Sequence, residues 1–149
     1  MGARLRALKQ RLATAESCSG GLIAHRITNI SGSSEYFAGG VVTYSNDAKR
    51  DVLGVAAETL AAHGAVSEAV AREMAEGARR RMSADRAVAC TGIAGPGGGS
   101  PGKPVGLVYI GVAGPDGSRV ERCQFQGDRM SIKQQTADRA LALLLEALG

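Results

Sequence analysis

The 149-residue chain has no tryptophan, three tyrosines and two phenylalanines. Proteins that grip single-stranded nucleic acid stack bases on aromatic rings, and five aromatics leave no such platform. Histidine is as scarce: His25 and His63 are the only two, both in helical patterns, and they build no metal centre. The cysteines, Cys18, Cys90 and Cys123, are odd in number and lack CxxC spacing, which indicates neither a disulfide framework nor a zinc site. A reducing, cytoplasmic setting is the expectation. Long apolar runs are missing too. Met1 to Arg11 is basic and helical in pattern but lacks the apolar core of a secretory signal or a membrane span. The excess of positive charge is only +4 and its carriers are scattered. Arg79-Arg80-Arg81, the only basic run, shares a helix with Glu68, Glu73 and Glu76 and reads as a solvated face. Nucleic acid and membrane are therefore not expected as partners, and the mild charge favours a small anionic ligand.

Glycine, in contrast, is abundant: 21 residues, too many for a simple helical bundle and suited to a fold with several tight turns. The length fits one domain, residues 1–149, large enough to bury a core. Leu5 to Gln10 reads as a clipped first helix, Leu12 to Glu16 as a first strand, and Gly21 to Asn29 as a helix. Gly40 to Tyr44 is short and β-branched and reads as a second strand. Ser45-Asn46-Asp47 caps a short helix stopping at Gly54, and Glu58 to His63, closed by Gly64, forms another. Ser67 caps a longer helix on which Val70, Met74, Ala78 and Met82 recur, with Glu68–Arg72 and Glu76–Arg80 on exposed faces. Arg86 to Thr91 is the third strand. Val105 to Ala113 and Ser118 to Phe125 flank the turn Gly114-Pro115-Asp116-Gly117 as an antiparallel hairpin. Asp128 caps a final helix with Leu141, Leu144, Leu145 and Leu148 on one side. Helices between early strands and a late hairpin predict an α/β fold: a mixed sheet covered on both faces.

Three clusters carry chemistry. In Thr14 to Gly21 a strand breaks into Glu16-Ser17-Cys18-Ser19-Gly20-Gly21 and restarts as a helix, which aims small polar groups and backbone N–H at one point. Such a turn is either a plain connection with Ser19 as N-cap or a seat for a nucleophile or an anion. The second cluster is the segment Gly92 to Gly106. Gly97 to Lys103 fits the first seven positions of a phosphate-binding P-loop, but Pro104 stands where Ser or Thr must hold magnesium. A strand follows instead of a helix, so a nucleoside triphosphatase is rejected. What is left is either a plain connection or a loop whose N–H groups and one lysine hold a phosphate or an oxyanion. The third cluster is Tyr44 to Lys49. If the first two strands are neighbours, Tyr44 and Lys49 open on the same edge as Ser17. A serine nucleophile must lose its proton, no histidine is placed to take it, and a buried lysine with a lowered pKa can.

Taken together, Glu16 to Gly21, Gly32-Ser33-Ser34, Thr43 to Lys49, His63 to Ser67, Thr91 to Gly98 and Lys103 to Gly106 resemble, in order and across nearly the whole chain, the CinA C-terminal family. That resemblance implies a three-layer α/β/α sandwich with a five-stranded mixed sheet, CinA-like and akin to the anticodon-binding-domain folds, usually as a homodimer. It implies a nicotinamide mononucleotide amidohydrolase, which hydrolyses the carboxamide of nicotinamide mononucleotide to nicotinate mononucleotide and ammonia without metal or cofactor. By motif position the resemblance implies Ser17 as nucleophile, Lys49 as base and Tyr44 as its partner. It puts Thr91 and Gly92 at the pyridine-amide end and makes Ser19, Gly20 and Gly21 possible oxyanion donors. Lys103 and Arg129 are the candidates for the 5′-phosphate. Ser19 stands where the family commonly has threonine, and the short N-terminus leaves little room for the first helix. With no molybdopterin-binding-like domain ahead of it, the chain is expected to be a standalone form. Cys18 is the rival nucleophile. Two other readings stand beside this one: an amidase for another small amide, and a catalytically silent module that binds a nucleotide and regulates a partner.

Overall fold

Residue size alternates along the strands and decides how closely helices approach them. The computed structural model describes every residue, Met1–Gly149. Strands β1 (Leu12–Glu16), β2 (Phe37–Val42), β3 (Arg86–Gly92), β4 (Leu107–Gly114) and β5 (Gly117–Gln124) form one sheet in the order β2-β1-β3-β4-β5. β1 pairs in parallel with both β2 and β3, while β4 runs antiparallel to both of its neighbours. The sheet is therefore mixed, as the pattern predicts. One face carries Ala13, Ala15, Ala87, Ala89 and Ala113, all buried, against helices α3 (Asn46–Leu53), α4 (Ala57–His63) and α5 (Glu68–Arg81). Small side chains let α5 lie close: a Cβ on Gly111 of β4 would meet the Ala71 carbonyl at 2.6 Å. The other face presents Leu12, Val88, Val108 and Ile110 to α1 (Gly2–Leu8), α2 (Leu22–Thr28) and α6 (Arg129–Ala147). Leu5, Ile23, Ile27, Ile132 and Leu144 are fully buried there, each contributing about 1.5–3 kcal/mol relative to exposure.

Several helix ends follow from side chains next to them in sequence. Ser45, Ser67 and Asp128 accept hydrogen bonds from the N–H groups of Ala48, Val70 and Ser131, and Gly54 ends α3 in the left-handed region. The first helix starts earlier than predicted, at Gly2, and Lys9 at φ 54° ends it and turns the chain directly into β1. It is short yet packed, with Leu5 in the core and Gly2 pressed against the Tyr36 ring.

Other expectations need correcting. β2 begins at Phe37 and ends at Val42, so Tyr44 lies beyond the strand. The strand starts three residues before the predicted Gly40, and at Gly40 itself the bare backbone is required, because a Cβ there would fall 2.0 Å from Thr14 Oγ1 on β1. Ser19 does not cap α2; the N-cap position is Gly21. Glu68 pairs with Arg72 as expected, whereas Glu76 accepts from the Ser118 hydroxyl and not from Arg80. On α6 Leu144 and Leu148 are buried and Leu141 packs against the core as the stripe predicts, while Leu145 is exposed and Leu143 is buried in addition.

Candidate active site

The site begins where β1 runs out. Ser17 N–H donates to the Cys90 carbonyl at 3.1 Å, so β3 steers the chain for one residue past the strand. A tight turn follows, closed by Gly20 N–H to the Ser17 carbonyl at 3.0 Å. Gly20 and Gly21 take φ values of 62° and 101°, where a side chain is strained. The N–H groups of Cys18, Ser19 and Gly21 make no hydrogen bond within the chain, while that of Gly20 is engaged.

Beneath the turn lies Glu16, 1% exposed, which sequence reasoning left without a role. Its carboxylate accepts the Ser19 hydroxyl at 2.6 Å and the Ile23 and Ala24 N–H groups at 2.8 and 2.9 Å. A buried carboxylate therefore caps α2 from one turn upstream, with its charge against the positive end of the helix. The available signal was an acidic residue between a strand and a helix start. Ser19 also meets Cys90 Sγ at 3.0 Å, and it supports the turn from within instead of capping the helix.

Lys49 enters from the far side on α3. Thr43 N–H donates to the Glu16 carbonyl at 2.9 Å, which carries the β2–β1 pairing past the strand end and points the following carbonyls inward. Lys49 is 1% exposed, and its Nζ lies 3.0 Å from Ser17 Oγ, 2.8 Å from the Thr43 carbonyl and 3.1 Å from the Tyr44 carbonyl. Burial lowers its pKa below the ordinary lysine value of 10.5. Carbonyl oxygens only accept. A neutral Lys49 that keeps its two N–H bonds to them turns its lone pair toward Ser17 Oγ, the one neighbour that has a proton to give.

Ser17 and Lys49 open into a hollow of about 200 Å³ that Cys18, Tyr44, Asn46, Thr91 and Arg129 also line. No carboxylate lines it, and its basic side chains are those of Lys49 and Arg129. Thr91 Oγ donates to the Ala65 carbonyl at 2.8 Å and ties β3 to the segment before α5. Gly92 allows β4 to pass, since a Cβ there would lie 2.7 Å from the Leu107 carbonyl. Arg129 donates to the Gly95 carbonyl at 2.8 Å and to the Tyr44 hydroxyl at 3.0 Å. Tyr44 thus touches Lys49 through its carbonyl only, and its phenol, on a residue 60% exposed, belongs to Arg129. Cys18 lines the hollow, but its contact with the Cys90 thiol and its burial push its pKa well above the ordinary value, which disfavours the thiolate a nucleophile needs.

Lys103 is not brought to this hollow. Its Nζ donates to the His63 carbonyl at 2.6 Å, and it lines a separate hollow with His63, Ser67, Glu68, Arg72 and Tyr109. Asn46, which sequence reasoning did not single out, is in the site because Ser45 starts α3 one residue earlier. No helix of the chain is long and apolar enough to cross a membrane.

Comparison with known proteins agrees along the whole chain. The sequence profile of the family described as the CinA C-terminal domain matches residues 1–148. A CinA-like protein of Mycolicibacterium gilvum is 58% identical over 139 residues, 93% of this chain and 33% of that protein. The chain spans about a third of the length of the curated relatives it matches. Among solved structures, the competence/damage inducible protein CihA of Agrobacterium tumefaciens superposes with a TM-score of 0.94 at 48% identity, covering 98% of this chain and 89% of that one. A CinA superfamily protein of Klebsiella pneumoniae gives a TM-score of 0.94 at 42% identity, covering 98% and 91%.

Proposed function

The chain belongs to the CinA C-terminal domain family, and from that premise we propose that it is a nicotinamide mononucleotide amidohydrolase working through Ser17 and Lys49. The observation that carries this reading is the buried 3.0 Å contact between Lys49 Nζ and Ser17 Oγ, made by an amine whose other partners are carbonyl oxygens. Neutral Lys49 takes the Ser17 proton as Oγ attacks the carboxamide carbon. The oxyanion is held by N–H groups of the turn; those of Cys18, Ser19 and Gly21 are uncommitted, while Gly20 shapes the turn and its own N–H is spent. Lys49 then returns the proton to the departing nitrogen, which leaves as ammonia. Water, deprotonated by the same amine, attacks the acyl-serine and releases the carboxylate. No step calls for a metal or a cofactor.

The substrate's charge selects the rest. With Lys49 neutral, the one charge lining the hollow is the Arg129 guanidinium, and a mononucleotide with an anionic phosphate complements it better than a neutral amide does. Arg129 is the phosphate ligand on this reading. Lys103, occupied at the His63 carbonyl, is left out of it. Tyr44 accepts from Arg129 and keeps its own O–H free to donate to the nucleotide. Thr91 and Gly92 form the wall beside the carboxamide. The protein is expected to act as a cytoplasmic homodimer.

The test is ammonia release from nicotinamide mononucleotide by the purified chain with chelator present. Nicotinate mononucleotide and ammonia are expected in equal amounts, with Ser17→Ala and Lys49→Ala each slower by about three orders of magnitude or more. Binding without turnover would establish the silent nucleotide-binding module instead. Turnover of other small amides but not of this nucleotide would reassign the substrate. Release only after metal is added would remove the serine scheme.

A further inference from the structure

We propose that Lys133 is a specificity-determining residue, which holds the substrate's phosphate together with Arg129 at the rim of the hollow. The choice of nucleotide rests on the amidase reading; the phosphate seat itself does not.

Lys133 follows Arg129 by one turn of α6, so the two side chains leave the same face of the helix. The helix gains nothing from this placement. Like charges four residues apart repel, and Arg129, the first helical residue, stands where the helix dipole is already positive. No acidic residue in the first turn offsets them, and Asp128, just before it, accepts from the Ser131 N–H. Neither cation forms an ion pair, whereas Arg139, later on the same helix, is held by Glu121 and Glu146.

The serine turn fixes where the second cation lies. A Cβ built on Gly20 would stand 3.5 Å from Lys133 Nζ, so the half-buried lysine lies across the turn. Glu16 beneath that turn is no partner for it, being spent on Ser19, Ile23 and Ala24. Ser17 and Cys18 line the hollow while Gly20 and Lys133 do not, which puts the ammonium at the rim.

The size of the hollow gives the rim its use. About 200 Å³ is below the range of about 300–1,000 Å³ that encloses a whole small ligand. With the carboxamide against Ser17, the phosphate end of a nucleotide therefore emerges past Arg129. Arg129 uses its two terminal nitrogens on Gly95 and Tyr44 and still has N–H groups to give. Lys133 has three, none of them engaged in the chain. A phosphate monoester carries close to two negative charges and three acceptor oxygens, which matches two unpaired cations one helical turn apart.

The experiment compares kcat/KM for nicotinamide mononucleotide and for the nucleoside that lacks the phosphate. In Lys133→Gln the nucleotide-to-nucleoside ratio is expected to fall about tenfold or more, chiefly through KM for the nucleotide. Lys133→Arg should restore most of it. Arg81→Gln removes the same charge at the opposite end of the sheet and should keep the ratio. Added salt should raise the nucleotide KM more in the parent than in Lys133→Gln. If Lys133→Gln does not fold, Lys133→Ala takes its place. An unchanged ratio would overturn the proposal, and equal losses on both substrates would make Lys133 a support for the turn instead. A parent with no turnover marks failure of the amidase reading. Calorimetric titration with ribose 5-phosphate then decides the seat: binding weakened about tenfold in Lys133→Gln upholds it, and equal binding or none overturns it.

Discussion

Arg129 donates to the Tyr44 hydroxyl at 3.0 Å, so the phenol that the family motif assigns to Lys49 is engaged by the guanidinium instead. Only the Tyr44 carbonyl reaches the lysine amine. The two ends of this one residue therefore serve different purposes. Its backbone helps hold the base, and its ring completes the wall where the anionic part of a nucleotide is proposed to lie.

Tyr44→Phe separates these two roles. It removes the phenol oxygen and leaves the carbonyl, so Lys49 keeps all its partners. One neutral hydrogen bond to substrate is worth about 1 kcal/mol, so KM should rise about fivefold with kcat nearly unchanged. The acid limb of the pH–rate profile should stay where it is. A shifted limb would return the phenol to the base.

Arg129→Ala tests the phosphate end. Charge-assisted hydrogen bonds contribute about 1.5–3 kcal/mol, which predicts a loss of about tenfold or more in kcat/KM for nicotinamide mononucleotide. The nucleoside lacking the phosphate should be a poor substrate for both proteins, and equally poor. Equal losses on both substrates would mean that Arg129 acts by holding the Gly95 loop, to which it also donates.

Lys49 sets the pH dependence. Its folded-state pKa is lowered by burial, and the scheme needs it neutral. Activity should therefore rise with pH through that lowered value and level off before 10.5, the ordinary lysine value. Stability follows the same proton. Between the lowered value and 10.5 the unfolded chain binds the proton more readily than the folded one, so folding stability rises with pH across that window. In Lys49→Met that rise should vanish along with the activity. Denaturant melts of both proteins at several pH values measure it.

The parts of the fold that could be read from the chain are those set by neighbours in sequence. The bounds of β1, the Gly114–Gly117 turn and the caps at Ser45, Ser67 and Asp128 each depend on residues within one turn of each other. The bounds of the second strand differ from the predicted Gly40–Tyr44 because they are set by pairing with β1, from Leu12↔Phe37 to Glu16↔Val42, and not by residues nearby in sequence. In the site, Ser17 and Lys49 were legible as motif positions. Tyr44's partner lies 85 residues away in sequence, and Lys103 is diverted by the His63 carbonyl, 40 residues away. No local pattern encodes either contact. Glu16 is an intermediate case: its place before a helix start was visible, but its burial beneath the turn was not.

Glu16→Gln is the sharpest test of how the turn is held. The carboxylate accepts three hydrogen bonds, two of them from the first turn of α2, and donates none. A glutamine keeps the shape but presents one NH2 group where an oxygen stood. Whichever way the amide is turned, a donor then faces a donor in a buried site, and the helix loses the negative charge at its positive end. A cost of about 2 kcal/mol is expected, lowering Tm by about 4–8 °C. Because the same carboxylate fixes Ser19 inside the turn that carries Ser17, kcat should fall more than KM changes, while the acid limb set by Lys49 stays in place. Ser19→Thr keeps the hydroxyl and should retain both stability and turnover; Ser19→Ala should repeat part of the Glu16→Gln loss. If Glu16→Gln melts with the parent and turns over at its rate, the turn is held by its glycines and its backbone bond alone, and the carboxylate has no part in positioning the serine.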